Sequence, residues 1–520
     1  MPELSGQTGQ PVLTADDLVA EESALALLPA AAASDLGVLP LSLDGDRLRL
    51  AIADLRDFET LDAVRAATGR ALRPRLADAA DLDEAIDRAY GSHAERMIAG
   101  MGGSDGTPGD TEGATSVDLA AKLEELAREP TVVNLVNLLI HDAVQAGASD
   151  VHIEPFEKTL SVKYRIDGLL HGVSPPPRHL RDAVTSRIKV IAGLDIAERF
   201  LPQDGHIDFD VLSALGGGRR RKVDLRVSTV PTVHGESVVM RILDRSAALK
   251  GIEDLGLDPA RHDTLTDTLA RPHGIFLVTG PTGSGKSTTL YAALQHLYDP
   301  SKKILTIEDP VEYELEGVNQ IPVNPKRGLG FADGLRAILR QDPDVVMIGE
   351  IRDRETAEIA IRAALTGHLV LSTLHTNDAA GAVTRLIDMG VEPFLVASSL
   401  QAVLAQRLVR KICEGCRREV PASPALLRRL GHLQDAAAGR SFFEGAGCRA
   451  CRQVGYRGRR AVFELLPVSA ELREAINRRA SMSEIRALFP DGHVPMIEDG
   501  YRLAAEGVTT LEEVVGVAAA

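Results

Sequence analysis

Residues 274–288 decide the fold: Gly274-Ile-Phe-Leu-Val-Thr279, then Gly280-Pro281-Thr282-Gly283-Ser284-Gly285-Lys286-Ser287-Thr288. The first six form a short apolar run, which reads as a strand buried on both faces. The next nine fit G-x-x-x-x-G-K-[ST], and Thr289-Leu290-Tyr291-Ala292 opens a helical stretch directly behind them. Glycines in that setting let backbone N–H groups turn inward around phosphate oxygens, while the helix N-terminus adds the positive end of its dipole. Residues 280–288 are therefore expected to cradle a nucleoside triphosphate. The Lys286 ammonium should reach the β- and γ-phosphates, and the Ser287 hydroxyl should ligate Mg2+. A glycine-rich turn that fits by chance is the competing reading; the strand before it and the helix after it count against that.

A phosphate loop alone does not distinguish a kinase, a GTPase or a motor, so the acidic groups around it matter. Val345-Val-Met-Ile348 is a second apolar run, and it delivers Gly349 and Glu350 at its C-terminal end, where open α/β sheets meet their ligands. Ile304-Leu-Thr-Ile307 delivers Glu308, Asp309 and then Glu312 in the same manner. Glu350 is a candidate to polarise the attacking water or hold the magnesium shell, and Glu308 is the other candidate. For either, a strand-end carboxylate that merely faces solvent is the plain alternative. A third strand, Leu369-Val-Leu-Ser372, runs into Thr373-Leu-His375-Thr-Asn377. His375 is placed to sense a γ-phosphate, although a lone histidine is more often structural.

Around this core the chain is long, 520 residues, which exceeds what one hydrophobic core organises and implies two or more domains. Residues 39–43 and 47–52 alternate apolar and polar about Asp44-Gly45-Asp46, a hairpin pattern in a first α+β domain assigned to 1–100. The run GGSDGTPGDTEG at 102–113 holds almost nothing apolar, so 101–117 is read as a flexible linker. Val132, Leu135, Val136, Leu139 and Val144 then recur at helical spacing up to Gly147. Alternating strands at 150–154 and 160–166, a helix through Val184, Ile188 and Ile191, and strands around Ile207 and Val223 complete a second α+β domain, 118–246. The Gly216–Gly218 and Arg219–Arg221 run reads as a solvated hairpin tip in preference to an anion site. From 247 to 520 strands alternate with longer helices, which predicts parallel βαβ units and an α/β sheet covered on both faces.

Hydrophobic residues at 44% and charged residues at 25% are the proportions of an ordinary globular protein, and the net charge of −16 opposes nucleic acid as a main partner. The opening MPELSGQTGQ is no signal peptide, and no apolar run is long enough to span a bilayer, so a cytoplasmic chain without a transmembrane segment is expected. Four cysteines are too few for a disulfide framework. They form two C-x-x-C pairs, Cys413 with Cys416 and Cys448 with Cys451, each able to offer two thiolates to one tetrahedral ion. Four sulfurs leave no open position, which suits structural Zn2+ in a subdomain at 410–455; a redox pair is the alternative.

Taken jointly, these residues resemble one family, the secretion ATPases of type II secretion and type IV pilus systems. The phosphate loop, the acidic stretch from Glu308 to Glu312, GEIRD at 349–353 and the stretch ending at His375 stand in the family's order. ASDVHIEP at 148–155, PQDG at 202–205 and RVSTVP at 226–231 look like its second N-terminal domain. The resemblance implies an ATP-hydrolysing, homo-hexameric motor with a RecA-like ATPase domain and zinc subdomain behind two smaller α+β domains. It also implies that Arg226 and Arg241 approach the phosphates from the second domain and Arg336 and Arg340 from within the ATPase domain. The last two, spaced i, i+4, would share a helix face; for any one of these arginines, surface salt bridging is the alternative. The first domain would meet inner-membrane platform proteins and hold the motor at the cytoplasmic face. His206, where relatives often carry arginine, is a departure, and the first domain lacks the repeated Arg-Leu-Gly and spaced leucines that mark the cyclic-di-GMP-binding version in some pilus ATPases. A type II secretion motor is favoured, with pilus assembly the alternative; a retraction motor, a nucleotide-gated scaffold and a nucleic-acid motor fit less well.

Overall fold

The computed structural model describes residues 13–90 apart from 15–16, 26, 29–31 and 34–35, and then 127–212, 220–243 and 250–519. The expected linker at 101–117 and residues 216–219 of the expected hairpin tip lie outside them, while Arg220 and Arg221 already belong to a strand. Two compact units emerge, 1–246 and 247–520.

In the first unit, β1 (Val38–Asp44) and β2 (Arg47–Ile52) form the hairpin, antiparallel and closed at Asp44 opposite Arg47. β3 (Ala71–Leu76) runs parallel to β2, which requires a crossover, and the helix Phe58–Thr68 supplies it. Asp57 caps that helix by accepting from the Thr60 N–H at 3.0 Å, and Gly69 ends it in the left-handed region. Further along, the helix Pro130–Gln145 buries Val132, Leu135, Val136, Leu139 and Ile140 in a core shared with a six-stranded antiparallel sheet. The sheet order is β6-β5-β4-β9-β8-β7, with β4 Asp150–Pro155, β5 Leu160–Ile166, β6 Leu169–Val173, β7 Gln203–Leu212, β8 Arg220–Thr232 and β9 Gly235–Leu243.

The second unit is built on a seven-stranded sheet, ordered β12-β11-β13-β14-β10-β15-β18. These are β10 (Gly274–Thr279), β11 (Ile304–Glu308), β12 (Asn319–Pro322), β13 (Val345–Ile348), β14 (Leu369–Leu374), β15 (Leu400–Ile412) and β18 (Tyr456–Pro467), while β16 (Arg417–Pro421) and β17 (Ser441–Gly445) pair separately. All neighbours in the large sheet are parallel except β15 and β18. Ile275 and Leu277 enter one core and Phe276 and Val278 the other, so β10 is buried on both faces and its apolar run needs no polar alternation. Each such side chain contributes roughly 1.5–3 kcal/mol by leaving water. The order places β14 and β13 between β10 and β11, although β11 follows β10 in the chain. The C-terminal ends of four parallel strands therefore gather along one edge, each carrying one of the motifs read from sequence.

Candidate active site

The phosphate loop leaves β10 at Gly280 and enters the helix Lys286–Leu297 with Gly285 as its N-cap. Two of its glycines have no substitute. A Cβ on Gly280 would lie 2.3 Å from the Gln406 carbonyl oxygen, and one on Gly285 would lie 2.8 Å from Gln406 Nε2, at a φ of +89°. Gln406, buried in β15, is the clamp: its Nε2 donates to the Ser284 carbonyl at 2.8 Å, and its Oε1 accepts from the Thr289 hydroxyl at 2.6 Å. Sequence reading missed this residue. Its only signal is a polar side chain directly after the apolar run Ala402-Val-Leu-Ala405 of its strand.

Lys286 Nζ donates to the carbonyls of Gly280 and Pro281, at 2.9 and 3.0 Å. The ammonium thus spans the loop it belongs to. Burial lowers its pKa from the ordinary lysine value, with the Glu350 charge acting the other way. The cradle fits a polyphosphate: Gly283, with nothing within 4 Å of where its Cβ would be, faces open space, and the Ser284 hydroxyl is buried without a partner. Ser287 and Thr288 are exposed in the first helical turn, where Ser287 can offer its hydroxyl to a metal held by the phosphates.

Glu350 follows β13 and meets two partners. Its Oε2 is 3.0 Å from His375 Nε2, and its Oε1 accepts from Arg352. Burial works to raise its pKa, but hydrogen bonds from Arg352 and His375 and their charges carry it below the ordinary carboxylate value. The His375 strand is tied to the phosphate loop as well: the Thr279 hydroxyl lies 2.7 Å from the Thr376 hydroxyl and accepts from the Thr376 N–H at 2.9 Å. Lys286, Glu350 and His375 are thus joined through three adjacent strands, with Arg352 an addition that the sequence reading left without a role.

Glu308 is held differently. It is buried and accepts from the Tyr291 and Thr306 hydroxyls and, at 3.0 Å, from Gln320 Nε2, so both carboxylate oxygens are already engaged inside the domain. Tyr291 is pushed up from its ordinary pKa by burial and then by the Glu308 charge, which keeps it the donor. Asp353 serves as the N-cap of the helix Arg354–Leu365, accepting from the Thr356 N–H at 2.8 Å.

The arginines divide. The helix expected to carry Arg336 and Arg340 on one face ends at Ile338, so Arg340 lies past it and turns back to donate to the Arg336 carbonyl at 2.8 Å. Arg336 is spent on Asp333, at 3.2 Å, and on Glu355. Convergence of the pair on one anion is therefore not what the structure has. Arg226 and Arg241, in the first unit, are directly opposite one another on β8 and β9. The same cross-strand row continues to His206 on one side and to Asp150 and Arg165 on the other. Directly opposed residues share a face, so one row carries three arginines and a histidine around one buried carboxylate, Asp150, which Arg241 meets at 3.1 Å.

Among the described residues, the four cysteines bring their sulfurs within 4.8 Å of one another. Cys413 and Cys448 are 3.7 Å apart, Cys416 and Cys451 3.8 Å, and Cys448 and Cys451 3.7 Å. Four sulfurs each about 2.3 Å from a central ion would be about 3.8 Å apart in a tetrahedron, so the spacing fits. One member, Cys451, is drawn toward thiolate: burial opposes its ionisation, but the N–H groups of Cys448 and Gly455, at 3.1 and 3.2 Å, bring it down to about 7, whereas burial pushes Cys413 up and Cys416 up to about 12.

A phosphate loop, a strand-end glutamate held by histidine and arginine, and a parallel sheet of this order define a P-loop ATPase of RecA-like construction. Comparison with known proteins agrees. The type II/IV secretion system protein family matches residues 125–516, and the MshEN domain matches 8–96, so likeness extends into the first domain as well. Type II secretion system protein E of Xanthomonas campestris pv. campestris is 48% identical over 92% of this chain and 82% of its own. The type IV pilus assembly ATPase PilB of Myxococcus xanthus is 43% identical over 99% of this chain and 90% of its own. The solved structure of the Legionella pneumophila ATPase DotB, 22% identical, shares the fold at a TM-score of 0.54 over 74% of this chain and 94% of that one. The chain belongs to the type II/IV secretion system protein family and is one of its ATPases.

Proposed function

We propose that the protein is the ATP-hydrolysing motor of a type II secretion system, in which turnover drives assembly of a periplasmic pseudopilus and protein export. The observation that carries the enzymatic half is the join between Lys286, Glu350 and His375 across adjacent strand ends. In this reading Lys286 leaves the Gly280 and Pro281 carbonyls for the β- and γ-phosphates when ATP enters. Glu350, ionised at neutral pH, accepts a hydrogen bond from the attacking water and orients it, while His375 and Arg352 fix the carboxylate. Water oxygen bonds to the γ-phosphorus as the bond to the β-bridging oxygen breaks, giving ADP and inorganic phosphate. Ser287 would hold Mg2+ together with the phosphates, and the bound ion would supply charge neutralisation. Glu308 acts as a positioning residue beneath the site through Tyr291.

Arg226 and Arg241 are proposed to complete the site from the second module, in a homo-hexamer where one chain serves its neighbour. The support is that Arg226 and Arg241 stand directly opposite one another on neighbouring strands, so that two guanidinium groups share one face of the sheet. Zn2+ is proposed at Cys413, Cys416, Cys448 and Cys451 to hold 410–455 together. The first domain is proposed to dock the motor on inner-membrane platform proteins, leaving it cytoplasmic and peripheral. A pilus-assembly motor is the second reading, favoured by a pilus relative that matches almost the whole chain.

The test pairs chemistry with biology. Glu350→Gln should still bind ATP but turn it over about a hundredfold more slowly, the scale of a lost general base. Deleting the gene in its host bacterium should trap exported proteins in the periplasm while leaving surface pili intact; lost pili with normal export would favour the second reading.

A further inference from the structure

Behind the strand ends of the ATPase unit lies a cavity of about 840 Å³, walled by the sheet, by residues 429–432 and by the C-terminal helices. Its volume falls in the range of small-molecule sites. The sheet contributes Arg407, one residue after the clamp Gln406, and the loop after β14 contributes Asn377, two residues after His375.

Arg407 is the unusual group. It is only 8% exposed, and one of its guanidinium nitrogens, Nη2, donates to Asn377 Oδ1 at 2.9 Å. Its Nε is buried with no partner. Burial alone lowers its pKa, and no carboxylate offsets the loss of water. A buried guanidinium without a counter-charge is expensive to keep, even with one neutral hydrogen bond made. The other acids and bases at the cavity do not answer it. Asp378 pairs with Arg486, His432 pairs with Glu498 at 2.7 Å, and Glu464 accepts from the Ala379 and Met496 N–H groups at 3.1 and 3.4 Å. His493, its ring tilted against Phe489 with centroids 4.3 Å apart, makes no hydrogen bond of normal geometry from its ring, though the Leu465 backbone is beside it. Arg429 adds an exposed cation at the rim.

We infer that this cavity is a second anion site, separate from the phosphate loop, which takes a small soluble phosphorylated ligand with an oxyanion on the Arg407 guanidinium where it lines the cavity. A phosphoryl oxygen brings that guanidinium the counter-charge that no carboxylate of the cavity gives it. A carboxylate would meet the same donor, and a lipid headgroup would carry the same phosphoryl chemistry.

The test is equilibrium dialysis of radiolabelled inorganic phosphate against the full chain, its phosphate loop first filled with a non-hydrolysable ATP analogue and Mg2+. One saturable equivalent per chain is expected, weakened about tenfold or more in Arg407→Gln, as the loss of a charge-assisted hydrogen bond requires. Acetate in place of phosphate should compete less well, and equal competition would reassign the site to carboxylates and overturn the phosphoryl assignment. Absence of uptake, or equal uptake by wild type and variant, overturns the proposal. Should Arg407→Gln fail to fold, Arg429→Gln on the exposed rim decides: an unchanged affinity refutes the site. A further arm sediments the chain with phosphatidylglycerol vesicles. Arg407-dependent capture by vesicles, with free phosphate inert, would overturn the soluble ligand in favour of a headgroup.

Discussion

Replacing Gln406 by leucine should damage ATP binding from a strand that never touches nucleotide. The glutamine makes two buried hydrogen bonds, to the Ser284 carbonyl at 2.8 Å and from the Thr289 hydroxyl at 2.6 Å, one on each side of Lys286. Each neutral bond is worth about 1 kcal/mol net, so about 2 kcal/mol holds the loop in its phosphate-ready shape. Leucine fills the volume but leaves a buried carbonyl and hydroxyl without partners, which favours loop conformations that reach water. ATP must then restore the shape from its own binding energy, and about 2 kcal/mol corresponds to about thirtyfold in Kd. Titration with a non-hydrolysable ATP analogue measures this directly. Gln406→Glu keeps the acceptor for Thr289 and loses the donor to Ser284, and its added negative charge near phosphate should weaken binding at least as much. A leucine variant within threefold of wild type would refute the clamp and leave Gln406 a packing residue.

The lowered pKa of Glu350 sets a pH dependence. Its folded value lies below the ordinary 4.5, so the ionised form prevails at neutrality and turnover falls only as pH drops through that lowered value. In Arg352→Ala burial is opposed by His375 alone, and the acid limb of the kcat profile should move to higher pH; an unmoved limb would remove Arg352 from the site. Protein purified without chelator should carry about one zinc per chain by metal analysis, and Cys448→Ser should lose it together with protease resistance across 410–455. A folded wild-type chain without metal would end that assignment. Mixing Lys286→Ala chains, which keep their arginines, with Arg226→Ala chains, which keep their phosphate loops, should return ATPase activity that neither has alone. An Arg226→Ala chain that is unimpaired by itself would make the row of arginines structural.

What could be read from the sequence divides along a physical line. The phosphate loop, the apolar strands and each C-x-x-C pair are local signals, complete within a dozen residues and able to determine their own backbone, whereas the two cysteine pairs meet across 35 residues of chain. The hairpin about Gly45 and the helix up to Gly147 are legible for the same reason, since a glycine at positive φ marks where the chain turns. Gln406 is illegible because its partners are 122 and 117 residues away, and only the parallel pairing of β15 with β10 brings it to the loop. The row from His206 to Arg165 is illegible too, being made by register across five strands. Arg340 failed in the opposite direction. Its spacing from Arg336 was right for a helix, but the helix stops two residues short of it.

The two strand-end glutamates show why equal motifs acquire unequal chemistry. Glu308 and Glu350 both follow apolar strands of the same sheet, and sequence offers no reason to rank them. Three neighbours decide Glu308: Tyr291 arrives from the helix behind the phosphate loop, Gln320 from β12 and Thr306 from its own strand, each donating to a carboxylate that is 4% exposed. A carboxylate whose lone pairs are so occupied has little capacity left for water. Glu350 is held instead by a guanidinium and an imidazole, groups that carry or can take up positive charge and so keep it ionised without enclosing it. An ionised carboxylate with open lone pairs at the edge that holds Lys286 is what orienting a water requires. If Glu308 were the group that acts on water, Tyr291→Phe, which frees one of its oxygens, would leave turnover intact or raise it. The arrangement found here requires the reverse: losing the tyrosine hydroxyl leaves a buried carboxylate short of a donor, costing about 1–3 kcal/mol of local stability. Turnover should then fall because the support under the phosphate loop loosens, with Glu350→Gln still the more damaging change.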